Sequence, residues 1–202
     1  MKNIVLNINS INERVIKNAP SMKGFMNNAA RAKLVSRKNA LIKAFDAHSV
    51  TREIEKGPDS TSNSSSTLGG KPNLFSFIGF ESGSNPTSEL RQFLMSYIDL
   101  YKTPPKIKGN SREVFFEYQV KIPSKAEIGA VTPLPFKTRS SNKSWALSIE
   151  SGLWGLSHYL FGLFASSRSG TGLESKYKVR DTEFAPVPYL TKLLYDFQES
   201  LF

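Results

Sequence analysis

The chain has no cysteine and two histidines among its 202 residues. The first absence removes disulfides, thiolate nucleophiles and cysteine zinc sites, and it fits a reducing compartment or a particle assembled in one. The second leaves His48 and His158 as the only imidazoles. Neither belongs to an HExxH or HxH pattern and no second ligand stands at motif spacing, so each is read as structural. Long apolar runs are missing as well. No segment approaches the roughly 18 residues of a membrane helix, and MKNIVLNINSINERV at the start is too polar for a secretory signal. The expectation is a soluble, unprocessed chain with no membrane partner.

Acidic residues are the scarcer sign, 17 Asp and Glu against 27 Lys and Arg, which leaves a formal charge of +10. Such a balance suits acidic partners or DNA. The excess is spread out, with 11 basic and 5 acidic residues in 1–60, 6 and 5 in 61–120, and 10 and 7 in 121–202. No RNP signature, zinc finger or helix-turn-helix glycine turn accompanies it, so sequence-specific recognition of nucleic acid is unsupported.

One segment is nearly free of apolar side chains. Of the 16 residues in 57–72, GPDSTSNSSSTLGGKP, 13 are Ser, Thr, Asn, Gly or Pro, too little burial to offset the entropy of ordering. It reads as a flexible loop or linker within a single domain spanning 1–202. Upstream, proline is absent from 22–56 and Gly57-Pro58 supplies a stop, which predicts one long helix over about 25–55. Leu34, Val35, Leu41, Ile42 and Phe45 share an arc of that helix, but so do Arg31 and Lys38. Lys33, Arg37 and Lys43 point elsewhere, and no acid precedes Asp46 within the helix. Cations on an apolar arc fit either snorkelling side chains or a helix shared with a partner.

After the loop, NLFSFIGF (73–80) reads as a short buried strand. Asn85-Pro86 opens a helix in which Leu90, Phe93, Leu94, Tyr97, Ile98 and Tyr101 follow amphipathic spacing, ended by Thr103-Pro104-Pro105. EVFFEYQVKI (113–122) alternates as a half-exposed strand. A further short strand is expected around 127–132, then a helix from Trp145 to Leu163 broken or kinked near Gly152. A polar loop at 165–175, a short strand KYKVR (176–180), and a last helix opened by Pro188 and striped by Leu190, Leu193, Leu194, Phe197 and Leu201 complete the chain. The predicted fold class is α+β: a small, mostly antiparallel sheet packed by helices, with the long N-terminal helix and the Ser/Gly-rich loop.

Catalytic constellations are thin. SGTGLES (169–175) lacks the phosphate-cradling GxxxxGK[ST] pattern. Carboxylate pairs such as Asp46 with Glu53, or Glu150 with Glu174, have nothing in the sequence to bring them together. A hydrolytic site of His158, Glu150 and Ser157 is the weakest reading. The chain is expected to lack catalytic residues, metal ligands and cofactors.

Three landmarks resemble the tail-completion, or head-to-tail joining, proteins of the neck of long-tailed bacteriophages. Ala19-Pro20-Ser21-Met22-Lys23-Gly24 is similar to the opening of that family's early basic helix, with Lys23 where Thr is usual. Ile149-Glu150-Ser151-Gly152 is similar to its central Glu-x-Gly. Phe184-Ala185-Pro186-Val187-Pro188-Tyr189-Leu190 is similar to its aromatic and proline-rich approach to the last helix, with Ala185 where Arg is usual. The resemblance implies a non-enzymatic virion protein assembled in the host cytoplasm, joining a ring of its own copies to a connector or head-completion protein and to a tail terminator or tail tube protein. Non-specific DNA contact fits the same charge. The interface residues expected on this reading are Arg31, Lys38 and Phe45 on the mixed arc and Arg168 in the second loop.

Overall fold

A computed structural model of the chain describes residues 3–8, 20–58, 73–102, 106–107, 114–135, 143–152, 159–161, 172–174, 176–177 and 185–201. The described residues form seven helices and six strands, an α+β chain as the sequence predicts. They divide into two compact units, Met1–Lys43 with Leu94–Pro123 and Leu194–Phe202, and Ala44–Phe93 with Ser124–Leu193. Most of the Ser/Gly-rich stretch, 59–72, lies outside the described residues.

The first unit holds an antiparallel sheet built on one strand. β1 (Asn3–Ile8) pairs with β4 (Val114–Lys121) from Asn3 opposite Gln119 to Ile8 opposite Val114. On the other side of β4 lie β2 (Asp99–Lys102), opposite Lys121 to Tyr118, and β3 (Lys106–Ile107), opposite Phe115 and Val114. The alternating 113–122 pattern is thus the central strand, with Tyr118 and Val120 buried. Nothing in the reading of the sequence anticipated β1.

The long basic segment forms α1 (Pro20–Ala47), opening on a proline whose fixed φ suits a first helical turn. Met26, Ala30, Leu34, Leu41, Ile42 and Phe45 are its buried side chains. Val35, expected on the apolar arc, is 54% exposed. The helix does not continue to 55. His48 takes an extended conformation (φ −65°, ψ 138°) and its Nδ1 accepts from the Val50 amide at 3.3 Å, so it caps a separate helix, α2 (Ser49–Glu55).

Two expected strands are helices. NLFSFI forms α3 (Leu74–Ile78), because Asn73 Oδ1 accepts from the Ser76 amide at 2.9 Å while Gly79 closes the turn at φ 91°. Leu74, Phe75, Phe77 and Ile78 are all buried, and a run buried on every side carries no period to separate strand from helix. Residues 127–132 fall mostly in α5 (Lys125–Val131), started by a capping box in which Ser124 Oγ accepts from the Glu127 amide and Glu127 Oε2 accepts from the Ser124 amide.

Between them, α4 (Pro86–Tyr97) begins as predicted, with Asn85 Oδ1 accepting from the Ser88 amide, but ends before Tyr101, which is drawn into β2 and is exposed. α6 (Trp145–Ser151) ends at Gly152 (φ 85°, ψ 137°), where a break or kink was expected, and 153–158 lie outside the described residues. Tyr159–Phe161, expected to be helical, is β5, paired with β6 (Gly172–Glu174) inside the expected second loop. Lys176 and Tyr177 form bends, and the rest of the expected 176–180 strand lies outside the described residues. α7 (Leu190–Ser200) buries Leu190, Leu194 and Phe197 as its stripe requires, starting two residues after Pro188.

The core of the second unit is aromatic. Phe80 and Trp145 form a T-shaped pair (5.6 Å, 84°) and Phe80 also meets Phe75 (5.4 Å), while the Tyr189 ring lies 6.0 Å from Phe45 and 4.9 Å from His48. A Cβ added at Gly129 would sit 3.8 Å from Leu147 Cδ1 and 3.9 Å from Ser144 Cβ, ordinary contact distances. Gly129→Ala within α5 therefore raises stability by about 0.5–1 kcal/mol, through lower backbone entropy of the unfolded chain. Gly79→Ala lowers it by about 1–2 kcal/mol, since a left-handed residue gains a Cβ. Urea midpoints at constant slope read both changes, and a destabilised Gly129→Ala would contradict the α5 packing.

Candidate functional site

The groups from which chemistry could be built are mostly occupied at the ends of helices. An α-helix leaves its first amides and last carbonyls without internal partners, and buried ends need acceptors or donors from elsewhere. Glu53 in α2 is fully buried, and its Oε1 accepts from the Leu74 amide at 2.8 Å, starting α3 beside Asn73. Glu150 in α6 does the same for α7, accepting from the Thr191 amide at 2.6 Å. Ser144 Oγ accepts from the Leu147 amide at 3.1 Å and lies 2.6 Å from Thr132 Oγ1, which donates to the Ile128 carbonyl. A continuous run of hydroxyl bonds therefore ties the start of α6 to the end of α5.

His48 is equally committed. Its Nδ1 accepts from the Val50 amide at 3.3 Å and the ring also bonds the Pro188 backbone, an arrangement that suits a neutral imidazole with its proton on Nε2. Desolvation by burial lowers its pKa, with the Pro188 bond opposing in part. Tyr189 is fully buried, its hydroxyl 2.8 Å from Thr51 Oγ1, and burial pushes its ionisation well above the phenol range. Asp46 holds Arg91 through two guanidinium nitrogens at 3.0–3.2 Å.

Of the four residues expected at an interface, the three described ones occupy different settings. Lys38 is half-buried on the row of α1 that includes Leu34 and Leu41, and its Nζ donates to the carbonyls of Met95 and of Ile98, the latter at 2.9 Å. The cation on the apolar arc is therefore satisfied within the fold, at the negative end of α4. Phe45 is a core residue stacked against Tyr189. Arg31 is exposed. Arg168 lies outside the described residues, as do His158 and Ser157.

What remains at the surface of α1 is Arg31, Arg37 and Lys43, all exposed, together with Phe25 at 71% and Val35 at 54% exposure. These side chains are spread around and along the helix, Arg31, Arg37 and Lys43 being about 120° apart on its wheel. Among the described residues no group of His, Asp and Glu is arranged to hold a metal, and no helix is long and apolar enough to cross a membrane. Searched against family models, curated proteins and solved structures, the chain has no match.

Removing the Lys38 cap exposes its worth. Lys38→Met keeps the stem and leaves two carbonyls without their donor, lowering stability by about 1–2 kcal/mol in denaturant unfolding. An unchanged midpoint would show that Lys38 sits free in solution. His48 gives a pH signature. Because its folded pKa lies below the unfolded 6.5, the unfolded chain binds more protons between the two values and stability rises with pH there. The His48 contribution is complete above 6.5 and is lost as pH falls through the folded value. His48→Asn keeps a capping acceptor and should flatten that part of the stability profile, which urea unfolding across pH 4–8 measures.

Proposed function

We propose that the chain is a non-catalytic structural adaptor of the neck of a long-tailed phage, engaging its neighbours through the solvent face of α1. One observation carries this reading, the division of labour among the cations of that helix. Lys38 completes the fold by capping α4, whereas Arg31, Arg37 and Lys43 are exposed on a helix with no acid before Asp46. The three are spaced six residues apart and so lie about 120° from one another around the helix, and folding alone gives no reason to keep acids from all of that exposed surface. An acidic partner surface gives one, by steering and orienting encounter. The three landmarks that resemble those of tail-completion proteins are the support for the neck as the setting, and a ring there needs head-to-tail contacts that close. Assignment of Glu53, Glu150 and His48 to helix ends favours binding over acid–base chemistry.

A second reading rests on the same cations. A polyanion such as DNA passing through a neck would also be held by Arg31, Arg37 and Lys43, without sequence preference.

The triple variant Arg31→Glu, Arg37→Glu, Lys43→Glu separates the two. On the adaptor reading, the wild-type chain mixed with neck proteins of the same virion sediments as discrete higher assemblies, and the variant does not join them while keeping its circular dichroism. On the DNA reading, the variant's binding loses about 3 units of log–log salt slope, one near 0.9 for each phosphate contact removed. A wild-type chain that joins no neck protein at any salt concentration sinks the adaptor reading.

A further inference from the structure

The two edges of the first unit's sheet are built in opposite ways. Beyond β4 on one side, the edge is short and interrupted: β2 and β3 have four and two residues, with Lys102 and Lys106 flanking Thr103-Pro104-Pro105. Short strands, lysine and proline are the usual devices that keep an edge from pairing with another chain. On the other side β1 is the outermost strand of its sheet among the described residues. Its sequence, NIVLNI, has no charge, no proline and no glycine. None of the protective devices is present there.

The same strand is self-complementary. Asn3 to Asn7 reads Asn-Ile-Val-Leu-Asn, and turned end for end it reads Asn-Leu-Val-Ile-Asn, the same order of amide and aliphatic residues. We propose that β1 is the docking edge for a second copy of this chain, paired antiparallel about a twofold axis at Val5. Asn3 then stands opposite Asn7 of the second copy, Ile4 opposite its Leu6, and Val5 opposite its Val5. Opposed residues in an antiparallel pair belong to the same face of the sheet, so this register, odd against odd and even against even, continues the alternation of β1 without a slip.

The palindrome is what selects a second copy over a foreign strand. An isologous contact requires that residue i meet j while j meets i, so the strand must match its own reversal. A partner of different sequence imposes no such condition. Five opposed residues supply about four to six new backbone hydrogen bonds, depending on which residues of β1 turn their amides outward. Charge agrees with the choice of edge, since a chain of net charge +10 meets least self-repulsion along an uncharged strand. The pairing is independent of the neck reading: a twofold contact is complete at two copies, so a ring would use a different surface.

The absence of cysteine makes the register directly testable in the full-length chain. Val5→Cys places its thiol opposite itself across the axis, with Cα atoms about 4.5–5.5 Å apart, inside the disulfide range. Asn3→Cys alone places the two thiols about 13 Å apart along the pair, out of reach. The expected result is a wild-type chain that sediments as a dimer across a concentration series, and a Val5→Cys variant that oxidises to a covalent dimer while Asn3→Cys does not. Val5→Lys, which sets two cations face to face, sediments as a monomer with unchanged circular dichroism. Should that variant fail to fold, the two cysteine variants decide. A wild-type monomer at every concentration overturns the proposal, as does Asn3→Cys linking as readily as Val5→Cys, or an edge that pairs only with a strand of another protein.

Discussion

The constraint on which the rest of this structure depends is the cost of leaving helix ends unsatisfied. Six of its seven described helices have 12 residues or fewer, so end groups are a large share of each helix's hydrogen bonding. Side chains distant in sequence meet that need. Glu53 reaches 21 residues forward to start α3, Glu150 reaches 41 residues to start α7, and Lys38 reaches 57 and 60 residues to finish α4. Each bond fixes both a boundary and a tertiary neighbour. Placement of α3 against α2, of α7 against α6, and of α1 against α4 thus follows from the same few charged groups that a reader of the sequence would first consider for catalysis.

Around the second unit's core the same logic extends to neutral groups. Tyr189 brings a large ring into full burial, which is favourable only because its hydroxyl meets Thr51. His48 lies against that ring, caps α2 with one nitrogen and donates to Pro188 with the other, so one residue ends α1, begins α2 and holds the approach to α7. Hydroxyls of Thr132 and Ser144 do comparable work between α5 and α6. Buried polar groups satisfied in series in this way define one arrangement of helices, because any shift leaves several of them unpaired at once.

Elements whose periodicity extends over several turns were legible in the sequence. The stripe of α7, the Asn85-Pro86 opening of α4 and the alternation of β4 could all be read directly, and so could the existence of a long basic helix, though α1 begins at Pro20 and yields at His48 to a second helix within the expected 25–55. Failures came where tertiary bonds overrule a local pattern. Periodicity carries α4 on to Tyr101, but Lys38 takes the carbonyls of Met95 and Ile98 and the chain leaves for β2. In NLFSFI four of six residues are apolar and buried without a clear period, and its helical start is held by Asn73 and Glu53 together. One miss was avoidable: Ser124-Lys125-Ala126-Glu127 is a capping box in sequence, and it announces a helix where a strand was expected. Of the site, the basic character of α1 was legible, but not which cation faces inward, because Arg31 and Lys38 fall on the same arc and only the position of α4 separates them.

That separation bears on function. A half-buried cation must find acceptors or cost the fold stability, and Lys38 finds two. Exposed cations are under no such obligation, so the fold explains Lys38 and leaves Arg31, Arg37 and Lys43 to be explained by something outside it. The sheet repeats the contrast in different chemistry: the β2 and β3 edge carries lysine and is interrupted, whereas β1 carries neither protection nor charge. On the two proposals, two kinds of recognition are kept apart on one chain. A helix selects partners by the sign of their charge and works at long range, while a strand selects by backbone register and works only in contact. An adaptor of the kind proposed would gain from that division, since its charge would gather unlike neighbours without also driving copies of itself together in the wrong register.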